Sequence, residues 1–285
     1  MVAMSDFEMM NEIKWCPGCG NFGILRAMKK ALVDLSISPE RILVVSGIGQ
    51  AAKTPHYLRC NAFHGLHGRA LPLATGAKIA NHELTILVNM GDGDCYGEGG
   101  NHFLHAIRRN IDLTLLVHDN RVFGLTKGQA SPTAEPGMVT KAQPYGVISE
   151  SFKPLSIALT LGAGFVARGF AGEMDHLSYL IQEGIRHRGF SLIDIFQPCV
   201  SFNHINTHKW YAERVYRLEE ERYSPTDPEQ ALVKAREWGD RLPIGILYKK
   251  EKPSFTDQIP SLKEGPLLDR QYDPRRLETV LSRLG

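Results

Sequence analysis

Residues 84–100 place the tightest limit on what this chain can fold into. An apolar run, Leu84-Thr-Ile-Leu-Val-Asn-Met90, gives way without a linker to Gly91-Asp-Gly-Asp-Cys-Tyr-Gly-Glu-Gly-Gly100, and then to the amphipathic stretch Asn101-His-Phe-Leu-His-Ala-Ile-Arg-Arg109. The order is buried strand, glycine turn, helix. Glycines let backbone N–H groups come close to a ligand, and a helix start adds unpaired donors and the positive end of its dipole. The segment therefore reads as an anion cradle, with phosphate the natural occupant.

Short runs rich in Val, Ile and Leu recur at residues 41–47, 113–118, 165–168, 191–196 and 244–248. Such runs suit a sheet covered on both faces. Residues 23–35 and 101–109 carry helical stripes between them, so the pattern predicts an α/β fold, a mostly parallel sheet flanked by helices. Beyond residue 202 the pattern weakens, predicting a charged helix over 212–222, another over 228–238, a late strand, and a Pro-rich, charged tail from Lys250. We expect a ligand-binding α/β domain over residues 1–203 and an extension over 204–285 that packs on it or on a partner.

At 285 residues the chain can bury a core without disulfides or metal staples, and it shows no internal repeat. With 33 Lys and Arg against 31 Asp and Glu, the net charge of +2 gives no field for nucleic acid. No apolar run approaches the ~20 residues that cross a bilayer, and the acidic start lacks a secretory signature. Five cysteines, an odd number, argue against a disulfide framework; the expected location is the cytoplasm.

The run at 113–118 ends in Asp119-Asn120, 28 residues after Asp92, the length of a turn, a helix and a return strand. Asp92 and Asn120 then share the carboxyl edge of a parallel sheet, where open α/β folds bind ligands. With the Val122 carbonyl they form an all-oxygen set of the kind Mg²⁺ prefers, able to grip a diphosphate as well. The plainer alternative is that Gly, Asp and Asn only punctuate turns.

Trp15-Cys16-Pro-Gly-Cys19-Gly20 brings two thiols within reach of one metal centre. Three readings compete. A thioredoxin-like redox pair lacks a preceding strand, a zinc ribbon lacks its second cysteine pair, and an iron–sulfur cluster draws single thiolates from distant loops. Cys199, just after the 191–196 run, lies at the same expected edge.

Gly-Asp-Gly followed at this interval by Asn resembles the thiamine diphosphate signature. The wider strings Gly91-Asp-Gly-Asp-x-Tyr-Gly-Glu-Gly-Gly-Asn-His-Phe103, Arg108-Arg-Asn110 and Val122-Phe-Gly-Leu-Thr-Lys-Gly-Gln-Ala-Ser-Pro-Thr133 resemble the β subunit of the 2-oxoacid:ferredoxin oxidoreductases. That resemblance implies thiamine diphosphate, Mg²⁺ held by Asp92, Asn120 and Val122, and a cofactor lined by Gly49, Lys53, His67, Gly91, Gly93, Asp94, Leu125 and Thr126. It assigns His67 and Lys127 to catalysis, Lys127 meeting the substrate carboxylate or a coenzyme A phosphate. Cys95 is expected to line the cofactor pocket, and His118 to be a packing residue.

By the same resemblance Cys16, Cys19 and Cys199 are three ligands of a 4Fe–4S cluster. The fourth departs from the pattern: Gly47-Ile48-Gly49 is followed by Gln50, an amide not expected to replace a thiolate as an ordinary cluster ligand, and Cys60 is the expected substitute. The implied reaction is oxidative decarboxylation of a 2-oxoacid, 2-oxoglutarate favoured, with coenzyme A, to acyl-CoA and CO2, electrons passing through the cluster to ferredoxin. One phosphate motif and no second α/β repeat imply half an active site, completed by an α or fused αγ subunit. A non-oxidative thiamine-dependent decarboxylase or carboligase is the rival, and an electron-relaying iron–sulfur adaptor a second.

Overall fold

The computed structural model describes residues 2–271 and 274–284. The expected apolar runs become strands because β-branched residues pack well between two helical layers. In chain order the strands are β1 (Ile42–Ser46), β2 (Asn61–His64), β3 (Thr85–Gly91), β4 (Leu113–Asp119), β5 (Val122–Phe123), β6 (Gln129–Ala130), β7 (Phe165–Phe170), β8 (Phe190–Phe196), β9 (Val215–Arg217) and β10 (Leu242–Lys249). Eight form one sheet in the order β2-β1-β3-β4-β8-β7-β10-β9, and β5 with β6 makes a separate hairpin. Every pairing in the large sheet is parallel except β7 with β10.

Helices cover both faces. On one lie α1 (Asn21–Asp34) and α5 (Met174–Arg186), whose Ile24, Met28, Leu32, Leu177, Leu180 and Ile181 meet Val44, Leu87 and Leu116 of the sheet. On the other, α2 (Ala70–Ala80), α3 (Gly100–Arg109), α4 (Pro154–Thr160) and α7 (Pro228–Arg236) bury Leu71, Phe103, Ile107, Leu155 and Ala231 against Val88, Leu115 and Leu192. Every residue of β4 and β8 is buried, as a strand between two helical layers must be.

The register aligns the strand ends that matter. Ser46 pairs with Asn89, Gly91 with His118, and Asp119 with Phe196, so the loops after β1, β3, β4 and β8 leave from one edge. The chain steps outward from β1 to β2 and then back across to β3, a topological switch point of the kind that opens a crevice.

The charged segment 212–222 is not the helix expected. It holds the end of α6 (His208–Ala212), the strand β9 and one 3₁₀ turn, Leu218–Glu221. The open edge of β10 offers Val215–Arg217 a ladder, which local charge patterning does not reveal. Residues 204–285 thus contribute two strands to the main sheet. The tail lies over the domain: Phe255 N–H donates to the Asn110 carbonyl at 3.1 Å, Asn110 Nδ2 donates to Pro253 O at 3.0 Å, and Phe255 packs against the core. Among the described residues no helix is long and apolar enough to cross a membrane.

Candidate active site at the carboxyl edge

Two adjoining clefts open where β1, β3, β4 and β8 end. The first is walled by Gly49, His67, Gly91, Asp92, Gly93, Asp94, Asn120, Val122, Leu125 and Thr126, together with Gln50 and Gly124. Asp92 directly follows β3 and is buried, with its Oδ2 as the focus of three donors: Arg121 N–H at 3.0 Å, the Ser131 hydroxyl at 2.5 Å and the Thr133 hydroxyl at 2.6 Å. Thr133 Oγ1 is also 2.7 Å from Asp119 Oδ1. A hydroxyl has one proton, so one of those carboxyls must supply another. Burial, then the negative charge of Asp119, pushes the Asp92 pKa well up. A dication beside Asp92 would relieve that cost, and Asn120 and Val122 stand in the same wall to share it.

Asp94 lies inside a single turn of π-helix, Gly93–Glu98, closed by Gly99 N–H on the Asp94 carbonyl at 2.9 Å. Such turns re-aim side chains at functional sites. Asp94 Oδ1 accepts from Gly68 N–H at 2.7 Å and Ile48 N–H at 3.3 Å, and lies 2.6 Å from His67 Nδ1. Burial still raises its pKa, against the opposing pull of those donors. Its Oδ2 is buried without a hydrogen-bond partner. A Cβ on Gly47 would sit 2.1 Å from that oxygen, so only glycine fits there.

Gly49 and Gly91 differ from Gly47. Gly49 holds φ +130°, a conformation that favours glycine, and a Cβ at either Gly49 or Gly91 would meet nothing within 4 Å. Their backbones face open cleft, the cradle expected of a close-lying diphosphate.

The second cleft is lined by Trp15, Cys16, Cys19, Asn21, Gln197, Cys199, Val200, Ser201 and Phe202, and it shares Gln50, Asn120 and Gly124 with the first. Gly18, at φ +80°, turns the Cys16–Cys19 loop back on itself, and Cys19 N–H donates to Cys16 O at 3.0 Å. Gly20 N–H donates to Pro198 O at 3.2 Å, tying this loop to the one that carries Cys199. Trp15 anchors it from behind, edge-on to Phe22 and Tyr57, with its indole N–H on Gln50 O at 2.8 Å.

The thiols are set up as acceptors. Ser201 Oγ donates to Cys16 Sγ at 3.0 Å and Gln197 Nε2 to Cys19 Sγ at 3.4 Å. Burial, assisted by Cys199 and Cys16, holds the Cys19 pKa up at about 11, so this sulfur stays protonated unless a metal takes the proton's place. Among the described residues no three His, Cys, Asp or Glu side chains close on a single ion.

Cys60 does not reach this cleft, contrary to expectation. After Gln50 a 3₁₀ turn, Ala51–His56, sends the chain down to start β2 parallel to β1, with Asn61 beside Leu43. Cys60 thus sits near the start of β1 while Gln50 follows its end, a strand length of about 13 Å away. It packs against the hydrophobic core and its thiol donates to Leu58 O.

Three other placements also differ. Lys127 is exposed at the tip of the β5–β6 hairpin, at φ +82°, and does not line the cleft. Lys53 lies on the 3₁₀ turn after Gln50, also outside the cleft wall. Cys95 is fully buried in the core beneath the turn, where the π-helical geometry points it away from the ligand side. His118 is buried, with Nδ1 2.8 Å from the Asn21 amide and Nε2 3.0 Å from that of Asn89. Burial depresses its pKa to about 3. A neutral ring has one N–H and one lone pair, so one of the two amides turns its NH₂ to the ring.

Sequence reading missed Gln197, which is buried and bridges the clefts. Asn120 Nδ2 donates to Gln197 Oε1 at 2.9 Å, and Gln197 Nε2 donates onward to Cys19. Its one available signal is position, the first residue past a buried strand and before Pro198-Cys199. Ser131 and Thr133, which hold Asp92, follow the hairpin in Ala130-Ser-Pro-Thr133 and carry no separate signal.

Residues 45–195 match the thiamine pyrophosphate enzyme C-terminal TPP binding domain, and residues 199–264 match the C-terminal family of the pyruvate ferredoxin oxidoreductase beta subunit. The chain is 47% identical over 256 residues to a 2-oxoacid:ferredoxin oxidoreductase subunit beta from Saccharolobus solfataricus, covering 86% of this chain and 84% of that one. It is 35% identical to the 2-oxoglutarate synthase subunit KorB of Methanocaldococcus jannaschii, over 88% of this chain and 92% of that one. Its fold superposes with a TM-score of 0.91, at 35% identity, on a 2-oxoglutarate:ferredoxin oxidoreductase from Magnetococcus marinus solved with 2-oxoglutarate, coenzyme A and succinyl-CoA, covering 98% of this chain and 96% of the other.

Proposed function

Because the chain belongs to the β subunits of the 2-oxoacid:ferredoxin oxidoreductases, we propose that its first cleft holds the diphosphate half of thiamine diphosphate through Mg²⁺ and its second an iron–sulfur cluster. The observation that carries this reading is the convergence of Asp92, Asn120 and Val122 beside two glycines, Gly49 and Gly91, whose missing side chains leave open space. Thiamine diphosphate, when bound, supplies an electron sink for loss of CO2 from a 2-oxoacid.

The chain's own residues bind and orient. Asp92, Asn120 and the Val122 carbonyl are the oxygen donors for the metal. Ser131, Thr133 and Arg121 N–H fix the Asp92 carboxylate, so the metal meets a preset ligand. Asp94 aims His67 across the same cleft, holding its Nδ1 side so that Nε2 is left for the ligand. Gln50, Asn120 and Gly124, common to both walls, leave one layer of protein between cofactor and cluster.

We assign an α or fused αγ partner to the rest of the site, since among the described residues the only acids in the wall of the first cleft are Asp92 and Asp94, already committed to the metal and to His67; Glu98 is exposed in the turn. Lys127, exposed at the hairpin tip, then faces the partner or coenzyme A rather than the diphosphate. Ferredoxin is the electron acceptor in this reading, 2-oxoglutarate the favoured substrate, and the cytoplasm, where the five unpaired cysteines persist, the location. Anaerobic co-purification with the α partner tests it. Viologen or ferredoxin reduction should require a 2-oxoacid, coenzyme A and Mg²⁺-thiamine diphosphate, with 2-oxoglutarate turned over fastest. Turnover without any electron acceptor would select the non-oxidative rival.

A further inference from the structure

We propose that Gln50 is the fourth ligand of the cluster, through its side-chain oxygen Oε1, so that one iron is held by a neutral amide and the other three by Cys16, Cys19 and Cys199. The inference rests on the cluster reading above and deepens it. Its first support is placement. The second cleft contains three thiols and one further side chain, Gln50, whose oxygen is buried without a hydrogen-bond partner.

That orphaned oxygen requires an explanation. A buried amide oxygen left unpaired loses its hydration without compensation, and neighbours normally supply a donor. Three donors around the cleft are committed elsewhere: Trp15 Nε1 to the Gln50 main chain, Gln197 Nε2 to Cys19 Sγ and Pro198 O, and Ser201 Oγ to Cys16 Sγ; Asn21 Nδ2, in the same wall and itself buried without a partner, makes no bond to Gln50 Oε1. The Trp15 bond fixes the backbone of Gln50 next to the Cys16 loop, so the side chain is held at the cleft by a contact that does not use its amide. The remaining cysteines stand elsewhere, Cys60 by the start of β1 and Cys95 in the opposite core.

An amide oxygen is a weaker, harder donor than a thiolate and carries no charge. A cluster so held has one corner less negative than a four-thiolate one, and that iron is the first to exchange. Gln50 lines both clefts, so an iron held there would be held by a residue that the thiamine-side wall also uses.

The test uses the anaerobically purified complex with its α partner, loaded with ⁵⁷Fe, comparing wild type with Gln50→Ala, Gln50→Glu and Gln50→Cys by iron analysis, Mössbauer spectroscopy and electron paramagnetic resonance. Gln50→Ala should lower the iron content by about one per β chain and leave a three-iron signal. Gln50→Glu, which keeps chain length and an oxygen donor, should retain all the iron, with one site spectroscopically distinct as in wild type. Gln50→Cys should make the four sites alike and lower the reduction potential. Equal iron and an unchanged spectrum in Gln50→Ala would overturn the assignment, as would a three-iron cluster in wild type. A wild-type chain that binds no iron would instead remove the cluster reading itself.

Discussion

Replacing Gly91 with alanine separates a ligand cradle from an ordinary strand end. The added Cβ would meet no heavy atom within 4 Å, and Gly91 does not have a positive φ, so the folded chain accepts the methyl group without strain. Losing glycine's freedom in the unfolded chain should then stabilise the protein by about 0.4–1 kcal/mol, a rise of roughly 1–4 °C in Tm for a domain of this size. The same methyl enters the space a diphosphate must occupy against the β3 backbone. A displacement near 1 Å costs on the order of a hundredfold, about 2.7 kcal/mol. Thermal melts with and without Mg²⁺-thiamine diphosphate, together with calorimetric titration, read both quantities on one sample. Gly76→Ala, exposed in the middle of α2 with equally open surroundings, is the control: it should gain about 1 kcal/mol and bind as wild type does. If Gly91→Ala binds the cofactor within threefold of wild type, no ligand lies against that backbone. If it loses more than about 2 kcal/mol of stability, the open space itself is misplaced.

Gly47→Ala should act in the opposite way, because its Cβ would lie 2.1 Å from Asp94 Oδ2; displacing that carboxylate from its three donors should cost about 1–3 kcal/mol, read as a lower urea midpoint without ligand. Cys60→Ala should keep its full iron content, and loss of iron would restore that thiol to the cluster. His118→Gln tests burial through pH. The folded His118 pKa is about 3 against an ordinary 6.5, so between those values the unfolded chain binds a proton that the native chain does not. Wild-type stability from this group is complete above pH 6.5 and falls by about 1.4 kcal/mol per unit below it. The stability gap between wild type and variant should therefore shift by about 2 kcal/mol in the variant's favour from pH 7.5 to pH 5, measured by urea melts. Asp194, raised to about 7 by burial and Asp119, has the opposite pH slope but cancels between the two proteins. A gap constant to within about 0.5 kcal/mol would show His118 titrating as an exposed imidazole.

The unit from β3 through α3 to β4 was legible because three independent signals agree there: a buried run, a glycine turn and a helical stripe. Cys16, Cys19 and Cys199 are grouped through the family resemblance, and the second cleft has all three in its wall. What escaped had no such agreement. Strand β2, Asn61–His64, is exposed throughout and so lacks an apolar run. Cys60 was misplaced because ten residues along the chain look close, yet a parallel strand must begin at the far edge. Lys127 sits between glycines in a segment rich in polar residues, and only the β5–β6 pairing shows that the segment turns outward. Gln197 matters through two hydrogen bonds to residues far away in sequence, and no spacing rule encodes those.

Gln50, Asn120 and Gly124 each belong to both clefts, so any change at these three positions is judged twice, by an organic ligand on one side and an inorganic one on the other. Combinatorial libraries meant to broaden substrate range should hold them fixed and vary Lys127 at the hairpin tip instead, an exposed position that lines neither cleft.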